Sequence, residues 1–355
     1  MKNRNISIDL IRILAILGVI GNHLMYPVAS RGDFFGGFGW WISFLIYTLS
    51  LIAVPMFIMI SGYLLIDRTD SIKKNFERTI KRLVIPLTFW FTFYLIWKTT
   101  FRSVLFSASE IMNFIVSGNM FIYYFLVILI GLYLLLPIIQ LIAKYGSKKL
   151  HLSILYGSFI LTWFIGLTHY FSNLTGSITS LTTWWLPFFS YFWWGFIVKK
   201  EMLKKQSKFF QLFFSWILVI FFFGYAGFLL KAGNTTLAFK NGIFYWHDYL
   251  NPAIGLSSVG LFTWIISNKT LKKVTLKPIF NKTIITLASL SYGAYLIHMF
   301  VMDYIDIKHG FAIEFIGNNL ISFIIIRPLI TILASFSISF FISKIPYLRK
   351  IIGID

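Results

Sequence analysis

Long runs of apolar residues, separated by short polar segments, follow one another along the whole chain. The hydrocarbon core of a bilayer is about 30 Å thick, so a helix needs roughly 20 apolar residues to cross it. Runs of this kind are centred near residues 18, 54, 91, 132, 160, 190, 219, 257, 293 and 330. The pattern therefore predicts an all-α protein, a polytopic membrane helix bundle with about ten transmembrane helices.

The composition agrees with this prediction. Of the 355 residues 58% are hydrophobic and 12% charged, whereas soluble domains average roughly 45–50% apolar and 25% charged residues. No loop between the runs exceeds about 20 residues, so we expect a single transmembrane domain over residues 1–355. Cysteine is absent, which excludes disulfides and thiolate nucleophiles.

The basic residues lie on one side of the predicted membrane. With the N-terminus placed in the cytoplasm, 24 of the 32 Lys and Arg residues fall in cytoplasmic segments, five fall in outer loops, and Arg12, Lys98 and Arg327 fall within the runs. Cytoplasmic loops of membrane proteins carry such an excess, so both termini are predicted to be cytoplasmic. The net charge of +20 then indicates contact with anionic membrane lipids rather than with nucleic acid.

Three ionisable residues interrupt the first run, "SIDLIRILAILGVIGNHLMYP". On an α-helix, Arg12 and His23 lie within about 20° of one face and about 16 Å apart along the axis. Asp9 precedes Arg12 by three residues and can pair with it. Because a charge at the bilayer centre costs roughly 2.5–3.5 kcal/mol, such residues are candidates for function. Alternatively, Arg12 extends to the inner headgroups, Asp9 neutralises it, and His23 is a packing residue of the bundle.

Further polar candidates occur in other runs. Ser61 and Gly62 end the second run and permit close helix approach. Arg78, Lys81 and Arg82 stand three to four residues apart at the entry to the third run, where they would attract anionic lipids or a phosphorylated ligand. Near the C-terminus, the polar candidates are Tyr295, His298 and Arg327. No pattern suggests a metal site.

Taken in order, several segments resemble the membrane acyltransferase 3 family. They are Arg12 and His23 with ten residues between them, preceded by Asp9, and the stretches "VPMFIMISGYLL", "RTIKRLVIP", "LVILIGLYLLLPII", "SLSYGAYLIHMF" and "KIPYLRKIIG". The resemblance covers nearly the whole chain. It departs from the family's Arg-x-x-Arg pairing, because Arg78 is followed by Lys81 and then by Arg82.

The resemblance implies an enzyme. It would transfer an acyl group, most often acetyl, from cytoplasmic acetyl-CoA to a hydroxyl of a cell-surface or lipid-linked glycan. It assigns His23 as general base or transient acyl carrier and counts Arg12 and Asp9 among the catalytic residues. It assigns Arg78, Lys81 and Arg82 to the phosphates of CoA. Ser61, Tyr295, His298 and Arg327 would line the substrate path, and no metal is expected.

A transporter or flippase for lipid-linked saccharides is the alternative from another class. Ten spans with charged residues inside them fit such a protein nearly as well. The frequent Lys, Ile and Asn residues point to a bacterial source, so a bacterial plasma membrane is the expected location. Release of free CoA thiol from acetyl-CoA would distinguish the enzyme from the transporter.

Overall fold

The computed structural model describes residues 4–30, 34–118, 120, 123–172, 182–202, 216–217, 224, 226–227, 249–268, 278–309 and 322–354. These residues confirm the all-α prediction, since their regular elements are all helices. The main helices are α1 (Ile6–Ala29), α2 (Phe38–Ser50), α3 (Ala53–Leu65), α4 (Ile72–Thr79), α5 (Ile85–Arg102), α6 (Ala108–Ser117), α7 (Tyr124–Leu134), α8 (Leu136–Tyr145), α9 (Lys148–Ser172), α10 (Phe189–Lys199), α11 (Pro252–Ser267), α12 (Pro278–His309) and α13 (Arg327–Lys344).

Six helical segments among the described residues are long and apolar enough to cross a membrane. They are Ile6–Ala29, Phe38–Leu65, Ile72–Arg102, Lys148–Thr168, Phe280–Lys308 and Phe323–Lys344. The pair α7 and α8, bent by 52°, makes a seventh if it forms one span. The predicted spans near residues 190 and 257 correspond to the shorter helices α10 and α11, and the one near residue 219 lies mostly outside the described residues. The count of ten and the cytoplasmic termini stay predictions.

The chain divides into two compact units. The first unit comprises Met1–Phe57 and Lys204–Ser339, and the second comprises Ile58–Leu203 and Phe340–Asp355. In the first unit, α1 packs antiparallel to α2, because the Trp40 indole donates to the Ala29 carbonyl near one end and Gly18 meets Ala53 near the other. A Cβ at Gly18 would lie 2.9 Å from that of Ala53, so glycine permits this close packing.

Helix α12 packs along α1 in the same direction. Arg4, just before α1, donates to the Ile285 carbonyl early in α12, and His23 contacts His298 later in both helices. Helix α13 runs antiparallel to α12, since Ser339 contacts Leu290 and Arg327 contacts Asp306. Two spans that run in the same direction must have an odd number of spans between them in the chain. Helices α1 and α12 are the first and the ninth of the ten predicted spans. Seven predicted spans lie between them, so the prediction is consistent with their parallel packing.

In the second unit, α3 and α10 cross in backbone contact. A Cβ at Gly62 would overlap the carbonyl group of Phe192, and a Cβ at Gly195 would overlap the carbonyl oxygen of Met59. Each helix therefore needs a glycine where it meets the other. The expectation that Gly62 permits close helix approach is confirmed, and Gly195 is its counterpart.

We predict that Gly62→Ala destabilises the protein, because an added methyl group in a closed helix crossing forces the backbones apart. Overpacking of this kind costs about 1–3 kcal/mol. The measurement is the midpoint of thermal unfolding in detergent. Gly157→Ala is the matched control, since nothing lies within 4 Å of a Cβ at that helical position. Equal midpoints for the two variants would contradict the crossing.

Candidate functional site

Ionisable side chains of the first unit lie at three levels along α12. The first level is a cluster around Asp9, which is 2% exposed. Arg4 donates to both oxygens of Asp9, at 2.5 and 3.1 Å, and Arg12 Nη1 lies 3.4 Å from Oδ1. The predicted pair of Asp9 and Arg12 is confirmed. Two guanidinium groups share one carboxylate, so the cluster keeps one net positive charge.

The second level is a pair of histidines. The rings of His23 on α1 and His298 on α12 lie 5.4 Å apart between centroids, with their planes inclined by 37°. His298 is fully buried, and its Nδ1 lies 2.5 Å from the Tyr295 carbonyl oxygen. The Tyr295 ring lies 5.8 Å from the ring of His298. The structure thus brings three of the predicted site residues together.

The third level is an ion pair between a buried arginine and a partly buried aspartate. Arg327 is 4% exposed, and its Nε and Nη2 donate to the two oxygens of Asp306 at 2.8 and 2.6 Å. The guanidinium carbon lies 4.8 Å from the centroid of the Phe323 ring. Planar, two-point pairing of this kind is the strongest that arginine makes with a carboxylate. Arg327 is therefore neutralised where it is buried.

The three levels extend over a length close to the thickness of the hydrocarbon core of a bilayer. Along α12 they contact Ile285, His298 and Asp306. At 1.5 Å per residue the first two of these positions are about 20 Å apart and the last two about 12 Å. The total of about 32 Å matches a hydrocarbon core of about 30 Å. The histidine pair therefore lies between two charged groups whose separation is about that of the two surfaces of the hydrocarbon core.

The second unit contains the predicted cation cluster, which the structure divides. Arg78, with its side chain 10% exposed, donates to Asp70 at 2.6 Å and to Asn75 at 3.0 Å. Asn75 in turn donates to Gln140, whose amide donates to the Leu65 carbonyl. Arg78 is thus part of a buried network that joins α3, α4 and α8.

Lys81 and Arg82 differ from Arg78 in their surroundings. Both belong to a π-helical turn, Ile80–Val84, between α4 and α5, and both are exposed. Lys81 and Arg82 therefore place their charges at the surface of the second unit.

The carboxylate that holds Arg78 stays ionised far below neutral pH. Hydrogen bonds from Lys74 and then Arg78 lower the pKa of Asp70 from 3.8 to about 2. Its contribution to stability is thus present above pH 3.8 and is lost only as the pH falls towards 2. The network does not respond to pH in the physiological range.

Other predicted residues have simpler surroundings. Ser61 lies 3.4 Å from the hydroxyl of Tyr133 on α7. Within the described ranges, no three His, Asp or Glu side chains cluster as metal ligands would.

The sequence interpretation did not identify three of the residues that form these ion pairs. Arg4 looked like an ordinary cytoplasmic cation, Asp306 lies 21 residues before Arg327, and Asp70 lies eight before Arg78. Only Arg4, five residues before Asp9, was close enough in sequence to have suggested its role.

The fold and these buried ionisable groups define a multi-pass membrane protein with a polar interior. The model of the acyltransferase domain, Acyl_transf_3, matches residues 5–344, nearly the whole chain. The chain therefore belongs to the acyltransferase 3 family, which implies acyltransferase activity. No curated protein and no solved structure matches the chain significantly.

We predict that Asp306→Asn strongly destabilises the protein, because it leaves the Arg327 charge buried without its counter-ion. Breaking a buried pair from one side costs about 3–5 kcal/mol. The measurement is again the thermal midpoint in detergent. The double variant Asp306→Asn with Arg327→Gln removes both charges and is expected to regain much of the loss. If the double variant were no more stable than the single one, the pair would not be the cause.

Proposed function

We propose that this protein is a membrane O-acyltransferase that moves an acetyl or other short acyl group from cytoplasmic acyl-CoA to a hydroxyl of a cell-surface or lipid-linked glycan. The observation that carries the proposal is the contact of His23 with the buried His298 inside a chain of the acyltransferase 3 family. Family membership favours group transfer over the transporter alternative.

His23 acts as the general base. The acceptor oxygen attacks the thioester carbonyl carbon while its proton passes to His23, and the carbon–sulfur bond then breaks. The proton finally passes from His23 to the departing thiolate, which leaves as free CoA. Imidazole suits this exchange because one ring nitrogen can accept a proton while the other donates a hydrogen bond. Histidine bases contribute typically 10²–10⁴-fold to such rates.

Cations bind the phosphates of the donor. In the first unit, the cluster of Arg4, Asp9 and Arg12 has a net positive charge, and the Arg12 side chain is 31% exposed. Arg12 and His23 lie about 16 Å apart along α1, a distance that the pantetheine arm can cover. In the second unit, Lys81 and Arg82 are exposed, whereas Arg78 is partly buried. We therefore assign phosphate contact to the two more accessible cations, Lys81 and Arg82, before Arg78.

We predict that His23→Ala abolishes acyl transfer, because it removes the proposed general base. The measurement is mass spectrometry of surface glycans from a deletion strain that expresses the variant, with its level in membranes checked by immunoblot. Leu17→Ala is the control, since Leu17 lies on the same helix and is 37% exposed. Retained glycan acylation in the His23→Ala strain would contradict the proposal.

We predict that Arg82→Ala raises the apparent KM for acetyl-CoA about tenfold. A hydrogen bond to a charged group contributes about 1.5–3 kcal/mol, and the loss of one bond at the lower limit of this range weakens binding about tenfold. Thiol release from acetyl-CoA in membranes gives the KM. Lys73→Ala removes an exposed cation from the same segment and is the control. The same donor KM in wild type and in Arg82→Ala would exclude Arg82 from the donor site.

A further inference from the structure

Of the two ring nitrogens of His298, Nδ1 has a hydrogen-bond partner and Nε2 has none. A carbonyl oxygen only accepts hydrogen bonds, so the 2.5 Å contact with the Tyr295 carbonyl places the proton on Nδ1. Nε2 of this tautomer therefore carries a lone pair. It is fully buried and has no hydrogen-bond partner. A buried acceptor of this kind is destabilising unless a donor reaches it.

The ring from another helix that contacts His298 is the imidazole of His23. Two imidazoles joined by an N–H···N bond of about 2.9 Å have centroids about 5.2 Å apart. The observed separation is 5.4 Å, with the planes inclined by 37°. The separation of the two rings is therefore close to that of hydrogen-bonded imidazoles.

We propose that His298 is the positioning residue for His23. Nε2 of His298 accepts the N–H of His23, which fixes the His23 tautomer and directs its other nitrogen, with its lone pair, to the acceptor hydroxyl. When His23 takes the hydroxyl proton, the imidazolium is stabilised by donating to His298. A carboxylate serves this purpose in serine hydrolases, and here a neutral imidazole does so without adding a charge to the membrane interior. The inference rests on the proposed function.

The contact of Arg4 with the Ile285 carbonyl supports this role. It holds α12 against α1 about 20 Å from the histidine pair, and the Asp9 cluster fixes Arg4 in turn. The two histidines thus face each other from helices that are joined at a second point.

Two substitutions separate positioning from packing and from direct catalysis. His298→Gln keeps an oxygen that can accept the N–H of His23, whereas His298→Leu has no acceptor. We expect the Leu variant to lose about 100-fold in kcat and the Gln variant to lose less, with donor KM unchanged in both. His151→Gln is the control, because His151 is another buried histidine that contacts a backbone carbonyl, that of Ile142. We expect it to keep the wild-type kcat.

The outcomes are distinct. Wild-type kcat in the Leu variant would overturn the proposal, and so would equal, complete loss in the Gln and Leu variants, which would make His298 the base itself. If His23→Ala retained transfer, the proposed function would fail instead. These kinetics are measured as thiol release from acetyl-CoA in membranes.

A second measurement, nuclear magnetic resonance of the folded protein, uses the Gln variant alone and so does not require that the Leu variant folds. The chain has six histidines, so ¹⁵N-histidine labelling gives few imidazole signals. We expect His298→Gln to shift the His23 ring nitrogens and to leave those of His151 unchanged. Unchanged His23 signals would overturn the proposal.

Discussion

The contact between α1 and α12 is the constraint on which the functional reading of this protein depends. Ionisable groups inside a bilayer persist only where other groups of the protein neutralise or hydrogen-bond them. Here one helix presents Asp9, Arg12 and His23, and the other approaches it closely enough to receive the Arg4 hydrogen bond and to place His298 beside His23. Asp9 and Arg12 compensate each other within the start of α1, whereas His23 gains a polar neighbour through the contact with α12.

Charge compensation takes a different form at each level of the first unit. Near the start of α1, one carboxylate serves two guanidinium groups and leaves a net positive charge, which suits a phosphate ligand. At the other end, Arg327 and Asp306 cancel each other in a two-point pair. Between them lie two imidazoles, which can be neutral and so need no counter-ion. In the described parts of α1 and α12, charge thus lies towards the two ends, and the group proposed to exchange protons lies between them.

Sequence interpretation succeeded where the relevant partners were neighbours in the chain. The spacing of Asp9 and Arg12 predicted their ion pair, and the small residues at Ser61 and Gly62 predicted a close helix crossing. It treated Arg78, Lys81 and Arg82 as one cluster because helical spacing alone gave no reason to separate them. The separation comes from Asp70, which Arg78 reaches across the turn before α4 while Lys81 and Arg82 stay exposed.

The sequence by itself determined the all-helical membrane architecture, the family resemblance and the candidate polar residues, because hydrophobic run length and helical periodicity are local properties of the chain. The tertiary structure alone decided which of those residues meet. His23 and His298 are 275 positions apart, and Arg327 finds Asp306 across the link between α12 and α13. No periodicity encodes such pairs, since they depend on the direction and register with which α1, α12 and α13 pack.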